Sequence, residues 1–330
     1  MVVPSPQQQG IHGRPARVRA DAAAPTTLHG VVVLALALVS LALAAPQPGG
    51  TAAIDVSVAT LWRAPGLART IDAPALGNPV RLDRWNRNLA TTASRAGLGT
   101  RVVTQALYGE HVKVLAVRGG WAKVAVRDQP TPLDRRGYPG WLPVRQLATG
   151  FSNTGSRRIV TSRRAVLHLP GRSLRLSYGT LLPVVVRNPA GNWLVRTPDG
   201  PGWIASASFR KPSAPTGSSI VAAARRFLGL RYLWGGVSSW GFDCSGLVWN
   251  VFRAHGVTVP RDTDPQSRHG RRVGAAALRP GDLVFYGSPA THVAIVAGGG
   301  RMIESPDSAH AVRIVPLRHG FTAVRRYARG

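Results

Sequence analysis

Three residues in the last third of the chain have the types and spacing for covalent hydrolysis: Cys244, His292 and Glu304. Cys244 is the chain's one cysteine and opens a stretch, Cys244 to His255, whose Leu247, Val248, Val251 and Phe252 fall on one face of a predicted helix. A thiol in the first turn of a helix meets unpaired backbone amides and the positive end of the helix dipole. Both favour the thiolate, the form that attacks a carbonyl. A lone cysteine is ordinarily buried and inert, so the case for a nucleophile rests on its surroundings. His292 opens one predicted strand and Glu304 closes the next, with Gly298-Gly299-Gly300 turning between them. The two share parity about that turn, so both side chains project from one face, directly opposite or one diagonal apart. A carboxylate within reach of the imidazole would fix its tautomer and support the imidazolium formed when His292 takes the thiol proton. Singly, His292 reads equally well as a hydrogen-bonded strand histidine and Glu304 as a solvated edge charge. Jointly with Cys244 they describe a nucleophile, a base and the group that orients the base.

The elements that must position these residues form an α+β pattern. A short helix is expected from Ile220 to Leu228, then the Cys244 helix ended by Gly256, then strands at Asp282 to Tyr286, His292 to Ala297 and Arg301 to Glu304. The preceding chain reads as an internal repeat. Tyr108-Gly109, Val112-Lys113-Val114, Trp121 and Gly140-Trp141-Leu142 recur as Tyr178-Gly179, Pro183 to Val186, Trp193 and Gly202-Trp203-Ile204. Short period-two strands and glycine-rich turns predict two small all-β barrels, similar to bacterial Src-homology-three domains. The expected layout is a first barrel with an N-terminal extension over 46–150, a second over 151–212, a linker over 213–219 and the α+β domain over 220–330.

The chain has 330 residues, with 42 Lys and Arg against 14 Asp and Glu, for a formal net charge of +28. Such a balance favours a polyanion: nucleic acid, acidic lipid or acidic wall polymer. The amino terminus narrows the choice, because Arg14, Arg17 and Arg19 precede an apolar run from Val31 to Ala45 that ends in Ala42-Leu43-Ala44. That is a signal-peptide layout over 1–45, with cleavage expected near Ala44. The competing reading is an uncleaved anchor, but the run falls short of the ~20 apolar residues that span a bilayer comfortably. The expectation is therefore a secreted or wall-associated protein, with no stable membrane anchor once the signal is removed. No basic recognition helix points to nucleic acid, so anionic wall polymer is the expected polyanion. A single cysteine excludes an intramolecular disulfide. His255, His269, His310 and His319 have no partners at ligand spacing, so neither metal nor other cofactor is expected.

Residues 220–330 resemble the NlpC-type cysteine peptidases, a papain-like branch that cuts bacterial wall peptides. The resemblance rests on five blocks in order: Arg231 to Gly236, Phe242-Asp243-Cys244-Ser245-Gly246-Leu247-Val248, Val259-Pro260-Arg261-Asp262, Arg279 to Tyr286, and Thr291-His292-Val293-Ala294-Ile295. It implies a papain-like α+β catalytic domain with Cys244 as nucleophile, His292 as base and Tyr232 beside the Cys244 amide at the oxyanion site. The third catalytic position, commonly His, falls on Glu304, which bears on the pH profile more than on the reaction class. Glu304→His is expected to retain activity. The whole architecture resembles the γ-D-glutamyl-L-diamino acid endopeptidases. That implies hydrolysis of the bond to meso-diaminopimelate or Lys in peptidoglycan stem peptides bearing a free amino-terminal L-Ala. Asp243, Ser245, Thr263, Glu110 and Tyr138 fall on that group's substrate-binding positions, with Glu110, Tyr138 and Asp243 holding the free amine. The alternatives are hydrolysis of intact peptidoglycan in wall remodelling, and a wall-binding protein with acyltransferase or amidase chemistry on the same cysteine and histidine.

Overall fold

The computed structural model describes residues 45–328, so the expected signal segment, apart from Ala45, lies outside the described residues. Two seven-stranded antiparallel sheets and a two-stranded ribbon, Val237–Ser238 with Gly241–Phe242, precede a six-stranded sheet. The first contains Thr51–Ile54, Val58–Trp62, Val102–Leu107, His111–Arg118, Trp121–Val126, Tyr138–Pro143 and Leu147–Ala148. It places them in the order third, second, sixth, fifth, fourth, first, seventh. The second sheet, from Arg157–Val160 to Phe209–Arg210, repeats that order strand for strand. The sequence repeat is thus a repeat of topology. Gly140-Trp141 and Gly202-Trp203 both sit in sixth strands, and Gly109 and Gly179 both turn at positive φ between third and fourth strands.

The amino-terminal extension expected at the start of the first barrel, within 46–150, is not an appendage. Thr51–Ile54 and Val58–Trp62 are the first two strands of the sheet, and residues 63–101 are an insertion between its second and third strands. The insertion carries helices Leu82–Asn88 and Thr92–Ala96 and buries Trp85, whose indole donates to Asp72 at 2.8 Å. It reaches the last domain directly. Asn86 donates to the Trp240 carbonyl at 2.7 Å, and Arg95, 2 % exposed, donates to the Tyr232 carbonyl at 2.9 Å.

In the last domain, α1 (Gly217–Arg225), α2 (Cys244–Ala254) and α3 (Thr263–Arg268) stand with strands β1 (Arg271–Arg272), β2 (Leu283–Tyr286), β3 (His292–Gly298), β4 (Arg301–Glu304), β5 (Arg313–Pro316) and β6 (Ala323–Arg326). The sheet order is β1-β6-β2-β3-β4-β5. The helix expected from Ile220 begins earlier, inside the expected linker. Thr216 and Ser219 form a reciprocal capping box, the Ser219 amide donating to the Thr216 hydroxyl at 3.1 Å, which satisfies amides a free linker would leave to water.

The helix that carries Cys244, α2, runs through the core. Leu247, Val248, Val251 and Phe252 are each no more than 1 % exposed, and each such burial contributes about 1.5–3 kcal/mol. They share one apolar cluster with Trp62 and Val102 of the first sheet, Trp85 of the insertion and Tyr178 of the second sheet. The three units therefore hold together as one packed body around the helix that carries Cys244.

Candidate active site

Asp243 caps α2, its Oδ1 accepting from the Gly246 amide at 2.6 Å, so Cys244 becomes the first helical residue. Gly246 has to be glycine, because a Cβ there would lie 2.0 Å from the Gly236 carbonyl oxygen. That contact explains why the Cys-Ser-Gly block and the Gly235-Gly236 turn occur together. Arg261 holds the cap from the other side. Its Nη2 donates to Asp243 Oδ2 at 2.7 Å, its Nη1 to the Ser245 hydroxyl at 2.9 Å, and its Nε to the Thr104 hydroxyl of the first sheet at 2.9 Å. The Thr104 hydroxyl in turn donates to the Gln129 side-chain carbonyl at 2.8 Å. A buried polar network thus joins the first β unit to the base of the helix that carries Cys244.

The β3–β4 register pairs Ile295 with Ile303 and Val296 with Met302, which leaves His292 one diagonal from Glu304 on the same face. Nε2 of His292 lies 2.8 Å from Oε2 of Glu304. A carboxylate accepts there, so Nε2 carries a proton, and Nδ1 is the ring nitrogen left to exchange a proton with Cys244. Burial alone would push the His292 imidazole down, but its hydrogen bonds and charge contacts with Cys244 and Glu304 outweigh that and raise its pKa to about 9. Burial likewise works against the Glu304 carboxylate, yet contacts from His292, Arg318 and Arg313 hold it well below the ordinary carboxylate range. The arrangement is an imidazole oriented by a carboxylate and set beside the sulfur of Cys244 at a helix amino terminus.

Cys244 opens onto a cleft of about 860 Å³. One wall is the first β unit and its insertion, through Arg63, Val102, Lys123, Tyr138 and Trp141; the other is the last domain, through Tyr232, Trp234, Asp262 and Asp307. Of the residues expected at the site, Asp243, Cys244, Ser245, Thr263, Tyr138 and Tyr232 line this cleft, with His292 next to Cys244 and Glu304 bonded to His292. The Thr263 hydroxyl is 3.5 Å from the Cys244 sulfur. Burial raises the Tyr232 phenol far above its ordinary value, so it stays protonated and can donate.

Glu110 is not brought to the cleft. It is 3 % exposed, its Oε1 lies 2.9 Å from Nη2 of Arg253 on α2, and its Oε2 accepts from the Leu107 amide at 3.1 Å. The expectation that Glu110 is an exposed acid holding the substrate amine is therefore corrected: it fastens the first β unit to α2. Asp243 lines the cleft, but both its oxygens already accept from Arg261. Asp262, expected only as part of a sequence block, is the acid the geometry brings forward. It accepts from the Tyr138 hydroxyl at 3.2 Å and, among the described residues, forms no ion pair within 4.0 Å, and burial raises its pKa. The signal for it was present in Arg261-Asp262, two adjacent charges after an apolar Val259-Pro260, of which one turns inward and one to the cleft. Arg313, Arg318 and Arg95 left no comparable signal, because many arginines in this chain are simply solvated. Among the described residues no three His, Cys, Asp or Glu side chains come together as a metal site.

A helix-borne thiol, a strand-borne imidazole and an acid in this relation define a papain-like thiol hydrolase site. The family model for NlpC/P60 matches residues 229–328, and the model for the bacterial dipeptidyl-peptidase Sh3 domain matches residues 95–147. The latter begins just before the third strand of the first sheet, beyond most of the insertion that separates it from the first two. The γ-D-glutamyl-L-lysine dipeptidyl-peptidase of Bacillus cereus is 37% identical over 304 residues, 83% of this chain and 90% of that protein. The protein of the same name from Bacillus subtilis is 35% identical over 273 residues, 79% of this chain and 92% of its own length. A crystal structure of an NlpC/P60 family protein from Bacillus cereus superposes with a TM-score of 0.80 at 36% identity, covering 85% of this chain and all of that one. The chain belongs to the NlpC/P60 family of cysteine peptidases.

Proposed function

We propose that this protein hydrolyses the γ-D-glutamyl-L-diamino acid bond of peptidoglycan stem peptides whose amino-terminal L-Ala is free. The observation that carries the reading is the placement of Cys244, beside a His292 bonded to Glu304 at 2.8 Å, at the floor of a cleft whose far wall is the first β unit. The Cys244 thiolate attacks the γ-carbonyl while Tyr232 and the Cys244 amide receive the developing oxyanion. The His292 imidazolium protonates the departing diamino-acid amine, and the neutral imidazole then activates the water that releases the acyl group.

The cleft supports an ammonium-bearing substrate. Against a net charge of +28, four of the chain's 14 acidic residues, Asp243, Asp262, Asp264 and Asp307, line this one cleft. Asp243 is ion-paired with Arg261 and Asp264 with Arg268, and Asp307 accepts from His310. Asp262 with the Tyr138 hydroxyl is left to receive the free amine, the role first expected of Glu110. With the first β unit as one wall of the cleft, released peptides are the preferred reading over intact peptidoglycan. The relatives' printed name, γ-D-glutamyl-L-lysine dipeptidyl-peptidase, agrees with the bond, and lysine or meso-diaminopimelate is the proposed diamino acid here.

The second sheet, which repeats the first strand for strand, is read as a second Src-homology-three-like domain. Export by the amino-terminal segment, a secreted or wall-associated location and contact of the basic surface with anionic wall polymer complete the proposal. The test is stoichiometric. One equivalent of iodoacetamide, or Cys244→Ala, should abolish stem-peptide hydrolysis in a protein that keeps its melting temperature. A folded Cys244→Ala protein that still hydrolyses the peptide would overturn the thiol mechanism.

A further inference from the structure

Glu304 is 1 % exposed, and both of its oxygens are occupied. Oε2 meets His292 Nε2 at 2.8 Å and Arg318 Nη2 at 2.7 Å. Oε1 accepts from Arg318 Nη1 at 2.9 Å and from Arg313 Nε at 3.0 Å. Arg313 stands directly opposite Glu304 in the β4–β5 register, so strand pairing delivers it. Arg318 lies beyond β5 and is delivered by packing. Its guanidinium sits 5.0 Å from the Tyr286 ring centroid, and its carbonyl accepts from the Tyr286 hydroxyl at 3.1 Å. Tyr286 is the cross-strand partner of His292, with the two rings 5.9 Å apart. The chain after β5 is therefore folded back over the base, and it brings a cation to the one carboxylate that touches that base.

An ionised carboxylate buried to this degree is tolerable only when paired. With His292 as sole partner, Glu304 would spend its whole charge on the imidazolium and hold that proton too firmly for return to the leaving amine. Two guanidiniums change the balance, because Glu304, Arg313 and Arg318 together carry a net positive charge before His292 is counted. The carboxylate then acts on the ring mainly by direction, as a fixed acceptor for Nε2–H. The other groups facing His292 are the Cys244 thiol from α2 and the uncharged Tyr286 from β2.

We propose that Arg318 and Arg313 are positioning residues of this site: they neutralise the buried Glu304 carboxylate, aim its Oε2 at His292, and so limit how tightly the imidazolium is held. The proposal rests on the assignment of Cys244, His292 and Glu304 given above. It also reverses the expectation that Glu304→His would be tolerated, since an imidazole at that position would face two guanidiniums with no charge to offer them.

The test uses the full chain and two readouts, one independent of turnover. In Arg318→Met, which keeps an unbranched side chain over Tyr286, kcat should fall by about tenfold with KM nearly unchanged, since orientation is lost and substrate contacts are not. In the Cys244→Ala background, NMR titration of the His292 ring should show its midpoint at higher pH when Arg318→Met is added, and Arg318→Lys should bring it back toward the parent value. Glu304→His should lose most activity, and adding Arg318→Met to it should recover part. A role limited to stability would lower the melting temperature and move neither the titration nor the recovery. An unchanged His292 midpoint in Arg318→Met overturns the proposal whatever the activity result. Hydrolysis surviving in folded Cys244→Ala would instead overturn the assignment of the nucleophile.

Discussion

Arg253 Nη2 meets Glu110 Oε1 at 2.9 Å, and the Nε of the same guanidinium donates to the Gly179 carbonyl at 3.1 Å. Glu110 and Gly179 belong to the same turn of the two β repeats, so one arginine on the nucleophile's helix fastens both. The wall of the cleft is thereby tied to the element that carries Cys244.

The pair is close, yet burial pushes the Glu110 carboxyl up to about 7 against the pull of Arg253. Desolvation wins because Glu110 is almost wholly buried. An ordinary glutamate titrates near 4.3, so folded Glu110 binds its proton more tightly than unfolded Glu110. The stability this confers is complete below the unfolded value and is lost as pH rises through about 7. Glu110→Gln cannot titrate. Its melting temperature should therefore gain on wild type between about pH 5 and about pH 8, while the preference for a free over an acetylated amine stays as it was. A selective loss of free-peptide activity would return Glu110 to the substrate site.

Arg261 should matter more. It is 1 % exposed and makes two bonds to the Asp243 carboxylate, so Arg261→Met strands a buried charge under the nucleophile. Breaking such a pair costs about 3–5 kcal/mol. Adding Asp243→Asn, which keeps a capping acceptor without the charge, should recover about 1–2 kcal/mol of that loss by chemical denaturation. Strict additivity of the two substitutions would show that they do not act on each other.

The contact between His292 and Glu304 was legible because its signal is local. Parity about Gly298-Gly299-Gly300 puts His292 and Glu304 on one face, and the β3–β4 register makes that contact a diagonal one. The repeat was legible for the same reason, since Gly-Trp and Tyr-Gly turns recur at fixed places in the strand order. What could not be read was set by packing between units far apart in the chain. Glu110 looks solvated until Arg253 is folded against it. The insertion over 63–101 looks like an amino-terminal extension until Thr51–Trp62 pair into the sheet beyond it. Arg318 gives no sign of its role until the chain after β5 turns back onto Tyr286.

The pH profile follows from the imidazole. The active pair needs His292 protonated, and its pKa is raised to about 9 rather than the ordinary value near 6.5. A raised value for a base extends the charged form upward, so kcat/KM should hold through neutral pH and fall as pH rises through about 9. Glu304→Gln removes one of the groups that raise it, and the basic limb should move to lower pH with kcat reduced and KM little changed. A basic limb at the same pH in both proteins would mean that Glu304 does not support the imidazolium.

The bond cut and the end recognised are read together by mass spectrometry of the products from L-Ala-γ-D-Glu-L-Lys and L-Ala-γ-D-Glu-meso-diaminopimelate, free and acetylated at the amine, with wild type and Asp262→Asn. The expected products are L-Ala-γ-D-Glu and the free diamino acid, formed rapidly from the free peptides. Acetylation should lower kcat/KM by about a hundredfold or more, because the capped end leaves Asp262 without its cation. Asp262→Asn should lower the rate on the free peptide and narrow the gap between the two. Cleavage at another bond, or equal rates on free and acetylated peptides, would contradict the account.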